Sequence, residues 1–588
     1  MAIRLPSNIG LWCHLSGFMV ALVYVVLTLV AFHLQEELIM ANGEMTWNHK
    51  LQELSRTMPQ VEALVTYDEA MVRSSLNMEE LYTLSARFAY LLKQEGVLPG
   101  DYVVTTAPMS LEATIILFGT LFAGAVPASL EITFRDGEAL LQCMTKLKSR
   151  HMIVQDEPWS EVLKFCKSKF EISFYPGSIW ADVTAPRLPC LERMMLIKRS
   201  GGRNQSFIEL LRTSNDEYVY EGITPESVGW FCFTTGTETD YIRMTEFSHK
   251  TAITIGHLMH QCKVTVCRNR LYENPWFWVS SIPGDILHGK TRVMPDKWRI
   301  INDYPLMLVK LIQTEGVEMA DLQPLNVKPM LELLDNYSEG KPLLKHLECG
   351  GMPVTRSHME ALRPLARRFS IIYGSHELGI ISMNVLKAEE IQDFPDYDNG
   401  TLAPGVQMRL VDSNGQDVEP GQKGRILVKS PCMFRGYPNE PDRTAARFNK
   451  DNWFMSYDQA RIEQSNGHVF SGGRIDVIIL HGQYMLFPCW LDAVVAPHPA
   501  IKKVISVPFS DVVLFHAIGI CIIKHPGASL SKEEVIQLVL SHVVPGKEFL
   551  IRPKAVLFFD KFPTKPDGTV DKPRLSDIVA EHVNNGMV

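Results

Sequence analysis

The sequence predicts an α/β fold preceded by one transmembrane helix, on three observations. Strand-like and helix-like segments alternate from Trp47 onward. An Asn466-Gly467 turn divides two alternating apolar runs near the C-terminal end. A long uncharged apolar stretch sits at the N-terminus. Strands alternating with helices of ordinary length imply parallel βαβ units.

The alternation can be taken segment by segment. Met78 to Gln94 carries apolar residues at helical spacing, and Gly96 with Pro99-Gly100-Asp101 stops it. Tyr102 to Thr106 reads as a buried strand, and Leu111 to Gly124 as an apolar helix ending in glycine. Val126-Pro127 and a further helix around Gly137 to Lys148 follow. No internal repeat or low-complexity linker interrupts the chain.

Ile9 to Leu34 is uncharged and long enough to cross a bilayer as a helix. A cleaved signal peptide would have a shorter apolar part and an A-x-A site, which does not follow here. Residues 1–44 are therefore read as a membrane anchor. Arg4 before the segment and Glu36-Glu37 after it favour a lumenal body. Free cysteines and ATP chemistry favour the cytosolic face, which is the reading adopted.

At 588 residues the chain is suited to two or three domains. Apolar residues make up 46% and charged residues 21%, enough for an ordinary core. A net charge of −8 gives no electrostatic case for nucleic acid. The 11 cysteines form no CxxC pair and the 18 histidines no HExxH, against structural zinc or a disulfide scaffold and for a reducing compartment.

Several stretches carry chemistry. Asn-Gly between alternating apolar runs is a strong hairpin signal, so Asp458 and Arg474 should flank one hairpin. A carboxylate there accepts paired hydrogen bonds from vicinal hydroxyls, and a guanidinium grips an oxygen-rich partner beside it. The bland alternative is a surface hairpin with ordinary charges. The strand-like WFCF from Trp230 runs into Thr234-Thr235-Gly236-Thr237-Glu238-Thr239, then Ser248-His249 before a helical run. Such a hydroxyl-rich loop presents donors to phosphate, or is simply a polar turn. Ile371 to Gly379 is a strand and a loop carrying Tyr373 and Glu377, the latter a hard oxygen ligand for Mg²⁺ or a solvated carboxylate. Gly284 to Thr291 matches a Walker A pattern and Ala555 to Asp560 a Walker B strand. Pro295 falls where a P-loop helix would run, against that reading.

Taken in order, these pieces resemble the adenylate-forming (AMP-binding) superfamily of acyl-CoA synthetases, fatty acyl-AMP ligases, luciferases and peptide-synthetase adenylation domains. LYTLSARFAYLLKQEGVLPGDYVV and LFGTLFAGAVPASL are similar to its N-terminal segments, and TTGTETDYIRMTEFSH stands in the place of its TSGTTG-x-PKG-V…SH loop. CGGMPV, YGSHE, GTLAPGVQMRLVD and PGQKGRILVKSPCMFRGY follow in family order. DNWFMSYD, GGRIDVIILHG and FPTKPDGTVDKPRL complete it, the resemblance running from about Leu51 to Leu575.

The resemblance implies a large N-terminal α/β domain of the acyl-adenylate-forming type, residues 45–475, and a small mobile α+β C-terminal domain, residues 476–588, hinged near Asp476. It implies ATP-dependent activation of a carboxylic acid, here a fatty or other apolar acid, through acyl-AMP, with ATP, Mg²⁺ and CoA as partners. Carried over by position, Thr234, Thr235, Gly236 and Thr237 face the phosphates. Tyr373 stacks near adenine, Glu377 holds Mg²⁺, Asp458 takes the ribose hydroxyls and Arg474 assists beside it.

The chain departs from the family pattern at identifiable positions. Glu238-Thr239 stand where the family has Thr-Gly, and Tyr241-Ile242 where it has Pro-Lys, in a stretch one residue longer. A carboxylate there repels phosphates, and a lost glycine removes an easy left-handed position. Arg243 is the candidate replacement for the missing lysine. His376 replaces the usual Thr or Asp before Glu377, and Tyr457 the Gly before Asp458. Thr569 sits where the family places its adenylation lysine, with Lys565 and Lys572 nearby. Two readings follow: an acyl-CoA synthetase-like ligase with impaired or altered turnover, or a catalytically inactive acyl- or nucleotide-binding member with a regulatory or scaffold role.

Overall fold

The helix expected between Met78 and Gln94 runs over those residues. Asn77 accepts from the Glu80 backbone while the Glu80 side chain accepts from the Asn77 N–H, a capping box contributing about 1 kcal/mol. Leu81, Leu84, Phe88 and Leu92, spaced at three and four, form its buried face. The helix Leu111–Phe122, buried at every residue, runs against it. The computed structural model describes residues 45–130, 137–175, 178–199, 206–235, 242–261, 269–274, 276, 278–299, 301–322, 324–337, 341–412, 414–474, 479–481, 484–486, 488–564 and 570–586. The membrane helix expected in residues 1–44 lies outside them. Among the described residues no helix is long and apolar enough to cross a membrane.

The alternating pattern folds into two mainly parallel sheets. The first has nine strands in the spatial order 401–402, 379–387, 366–375, 344–350, 319–321, 269–272, 291–295, 62–67 and 73–77. Its six central strands are parallel, and antiparallel strands close both sides. The second has six strands, of which 126–129, 102–105, 151–155 and 193–197 are parallel. Purely parallel strands read as continuous apolar runs because both faces are covered; His151–Gln155 is buried at all five positions.

An antiparallel sheet of four strands contains the Asn466-Gly467 turn between Phe454–Ile462 and Val469–Arg474. The last part of the chain builds a separate five-stranded sheet from Ile479–His481, Tyr484–Leu486, Ile501–Asp511, Phe515–Lys524 and Ala555–Phe558, with the helix Lys572–Asn584 against it. It meets the preceding part at several places. His358 Nε2 lies 3.1 Å from the Asp511 carbonyl, Val513 packs into the apolar cluster of the nine-stranded sheet, and Tyr484 lies 5.5 Å from Trp278 between ring centres.

The Walker A match does not form a P-loop. Gly284–Leu287 is one helical turn and Thr291 opens a parallel strand, whereas a P-loop leaves a strand and enters a long helix. Gly284 serves close packing: a Cβ there would lie 2.3 Å from the Gly256 carbonyl oxygen. The Walker B candidate, Ala555–Phe558, belongs to the C-terminal sheet.

Candidate active site

Asp458 and Arg474 are directly opposite partners across the hairpin, with a bulge between Asp458 and Ala460. The sequence-predicted pairing is therefore present in the register; the Arg474 side chain lies outside the described ones. Asp458 is tied into the nine-stranded sheet by Tyr373, whose hydroxyl donates to Oδ2 at 2.7 Å. Burial first, and then the Asp458 charge, hold the Tyr373 phenol well above its usual range, so it stays a donor. The Ser456 hydroxyl caps the Asp458 backbone N–H at 2.9 Å.

Four residues beyond Tyr373, the chain turns sharply. His376, Glu377 and Leu378 form the three-residue tip between Ala366–Ser375 and the antiparallel strand Gly379–Lys387. Gly379, at φ 62°, supplies the left-handed residue such a loop requires. The sequence suggested a strand followed by a loop carrying both residues; Tyr373 lies within the strand, and Glu377 at the turn into its antiparallel partner. Glu377 is 8% exposed, and Tyr437 donates its hydroxyl to Oε1 at 3.1 Å. The Glu377 carbonyl accepts from the Phe434 N–H at 2.7 Å.

Thr234 and Thr235, expected in the loop after the strand, are the last two residues of the strand Val228–Thr235. The following segment was not recognisable as a strand, yet Ile242–Ser248 pairs back antiparallel, setting Arg243 opposite Thr234 and Ile242 opposite Thr235. The two ends of the candidate phosphate loop are thus brought together by an antiparallel pair of strands. Gly236, Thr237 and Glu238 lie outside the described residues, as do Asp476, Lys565 and Thr569, and nothing is described of the Thr234, Thr235, Arg243 and Tyr457 side chains. Lys572 is exposed at the start of the last helix, where its charge acts on Asp492 of the same C-terminal part.

The segment Phe434–Tyr437 joins the hairpin to Glu377. The Arg435 N–H donates to the Glu246 carbonyl at 2.6 Å, and the Glu246 N–H donates to Gly436 at 3.1 Å. Glu246 itself is 9% exposed and accepts from the Tyr102 hydroxyl. Burial pushes its carboxyl up to about 7, against a smaller opposing effect of Arg435. Below the hairpin, His249 accepts from the Trp47 N–H at 3.1 Å, and burial holds its imidazole down at about 3. Trp47, Trp230 and Trp276 stand in a row at 5.8 and 6.3 Å. Trp276 is therefore core, whereas Trp278 is half-buried, 6.4 Å from His376.

Sequence reasoning assigned no role to Tyr437 or Glu246. Tyr437 closed the MFRGY of a quoted motif, and Glu246 was a charge inside an otherwise strand-like run; both signals were available but weak. A small cavity of about 20 Å³ behind Cys349-Gly350, lined by Leu322, Leu347, Val354, His358 and Val513, has room for little more than a water and is not a nucleotide site.

Beside two mainly parallel sheets lie a buried Glu377 and an Asp458–Tyr373 pair at strand ends, and the family match gives their class, the AMP-forming acid ligases. The chain belongs to the AMP-binding enzyme family, whose match spans residues 51–438. That class activates an acid with ATP through an acyl-AMP, as AMP-forming acid ligases. The chain is 26% identical over 273 residues to 4-coumarate–CoA ligase-like 6 of Arabidopsis thaliana, spanning 44% of this chain and 46% of that one. It is 23% identical over 533 residues to the medium-chain fatty-acid–CoA ligase of Escherichia coli, spanning 89% and 88%. In fold it is similar to the amide bond synthetase McbA of Marinactinospora thermotolerans, with a TM-score of 0.71 at 17% identity over 91% of this chain and 99% of the other.

Proposed function

We propose that the protein activates an apolar carboxylic acid with ATP and passes the acyl group to the thiol of CoA. The observation that carries the reading is the Asp458–Arg474 register, with Asp458 also held by Tyr373. Asp458 takes the ribose hydroxyls, Tyr373 flanks the adenine, and Arg474 brings a positive charge beside them. Thr234, Thr235, Gly236 and Thr237 offer hydroxyl and backbone donors to the phosphates. An acid oxygen then attacks the α-phosphorus, an O–P bond forms, and pyrophosphate leaves.

Glu377 fits a Mg²⁺ site: it is an oxygen ligand of the hard type such an ion takes, fixed by Tyr437. When bound, that ion would neutralise phosphate charge. The ligases named for 4-coumarate and for medium-chain fatty acids support an acid with an apolar body. Ile9 to Leu34 would hold the protein on a membrane with its body on the cytosolic face; alkaline extraction and protease protection test that placement.

Thr569 and Glu238 favour a second reading, a non-catalytic acyl- or nucleotide-binding protein, because both weaken charge stabilisation at the phosphates. The deciding measurement is acid-dependent pyrophosphate release with ATP·Mg²⁺, with Asp458→Ala and Glu377→Ala as controls. Release lost in both controls supports the ligase. ATP binding without release supports the second reading, and turnover restored by Thr569→Lys would trace the loss to one charge.

A further inference from the structure

Lys297 follows the strand Thr291–Pro295, Glu273 follows Asn269–Tyr272, and Asn326 lies in the first turn of the helix after Met319–Asp321. These three parallel strands are neighbours in the nine-stranded sheet, so all three residues stand at its carboxyl edge. Open α/β sheets bind ligands along that edge, and Tyr373 and Glu377 leave it at the end of Ala366–Ser375. Glu273 is fully buried and accepts from the Asn326 amide. Its charge also acts on the Tyr304 phenol, which burial above all holds well above its usual range, so that hydroxyl stays protonated.

Lys297 is less completely satisfied. Its backbone N–H donates to the Met109 carbonyl at 2.8 Å and its ammonium to the Glu273 carbonyl at 3.2 Å, with the Tyr304 ring 5.2 Å away. Among the described residues that carbonyl is the one hydrogen-bond acceptor of an ammonium with three N–H donors. The side chain is half-buried, yet burial outweighs the attraction of Glu273 and lowers the ammonium below the usual lysine range. A group both accessible and shielded lines a recess, and a shielded cation needs acceptors. The strands Thr291–Pro295 and Ala366–Ser375 stand four places apart, about 19 Å along the edge at about 4.8 Å a place. Lys297 therefore does not reach an acid carboxylate at a nucleotide held by Tyr373 and Asp458. Glu273 supplies a balancing charge, which favours a neutral oxygen over a second carboxylate.

We propose that Lys297 is a specificity-determining residue, donating to a hydroxyl oxygen at the end of the acid remote from its carboxylate. Glu273 holds the ammonium through its backbone carbonyl, while Asn326 and Tyr304 attend to the Glu273 carboxylate. The preferred acid then has an apolar body and a terminal hydroxyl. Its unsubstituted counterpart leaves Lys297 donors without an acceptor, and that difference is what the site reads. This assignment rests on the reading above that the protein activates a carboxylic acid.

The test uses the full chain with ATP·Mg²⁺ and two matched pairs, 4-coumarate with cinnamate and ω-hydroxydecanoate with decanoate. In pyrophosphate release, kcat/KM is expected to be about 10-fold or more higher for the hydroxylated member of at least one pair, as a hydrogen bond to a charged group allows. Lys297→Met should bring that ratio to about one, and Lys297→Gln, which keeps a donor, should leave it in between. A purely structural lysine would lower both members alike, so a ratio unmoved in the folded variants overturns the proposal. Absence of any preference in the unsubstituted protein overturns it too. Where Lys297→Met does not fold, the ratio in Lys297→Gln decides. The same pairs are titrated by calorimetry without ATP. No pyrophosphate release with any acid would defeat the ligase reading. The subsite would then stand only if the hydroxylated member bound more tightly and Lys297→Gln narrowed the difference.

Discussion

Tyr373 and Asp458, 85 residues apart, share a 2.7 Å hydrogen bond that couples the nine-stranded sheet to the Asn466-Gly467 hairpin. If Asp458 takes two ribose hydroxyls as proposed, it gains from being oriented before the ligand arrives. Hydrogen bonds to charged groups contribute about 1.5–3 kcal/mol. Tyr373→Phe is therefore expected to weaken ATP binding roughly tenfold, measured by calorimetry. Asp458→Ala should weaken it further, and an unchanged affinity in both would remove this pair from the nucleotide site.

Tyr437 should matter through Glu377 and not through the nucleotide. A hydrogen bond to a metal-ligating carboxylate fixes its orientation, and losing one commonly costs about 10–100-fold in metal affinity. Tyr437→Phe is expected to raise the Mg²⁺ concentration needed for half-maximal pyrophosphate release by that factor. The maximal rate at saturating Mg²⁺ should change far less. A lowered maximum with an unmoved Mg²⁺ dependence would argue against Glu377 as the ligand.

Glu246 predicts a pH effect on stability. Its carboxyl is raised from an ordinary 4.5 to about 7 in the folded protein. Below the ordinary value both states are protonated and nothing is lost. As pH rises above that value the unfolded chain ionises first, so stability declines up to about pH 7 and then levels off. The full effect is on the order of 3 kcal/mol. Glu246→Gln, which keeps an acceptor for Tyr102, should raise the thermal midpoint at about pH 8 and leave it nearly unchanged at about pH 4. An equal shift at both would mean that burial of the charge is not the cause.

Gly284 and Lys290 separate packing from phosphate binding. With a Cβ meeting the Gly256 carbonyl oxygen at 2.3 Å, Gly284→Ala is expected to destabilise the protein by about 1–3 kcal/mol in a denaturant titration. Lys290→Ala should leave the ATP dissociation constant within about twofold of the original. Loss of ATP binding in the lysine variant would restore the Walker reading.

Local signals were legible and distant ones were not. The helix Met78–Gln94 is declared by its own Asn77 cap and apolar spacing, and the Asp458–Arg474 register follows from an Asn-Gly turn between them. Both depend on residues close in sequence. The strand Ile242–Ser248 could not be read, because Glu246 breaks the alternation of Ile242 to Thr245 after only four residues. The Glu246 carboxylate accepts from the Tyr102 hydroxyl, and its backbone pairs with residues 435–436. The Tyr437–Glu377 bond, 60 residues apart, likewise arises from tertiary packing. The chemistry of Asp458 and Glu377 was suggested by motif order, and their surroundings by none of it.

The four residues Phe434–Tyr437 bond to both Glu377 and Glu246, which fastens the hairpin of Val228–Thr235 and Ile242–Ser248 from outside the hairpin itself. Where a loop depends on its own glycines for shape, losing one rearranges everything it carries. Here the anchorage of the strand Ile242–Ser248 is supplied by a neighbouring segment, so a change of sequence before that strand leaves its platform in place. Exchanging Glu238 and Thr239 should then change charge and hydrogen-bonding capacity without unseating the strands on either side.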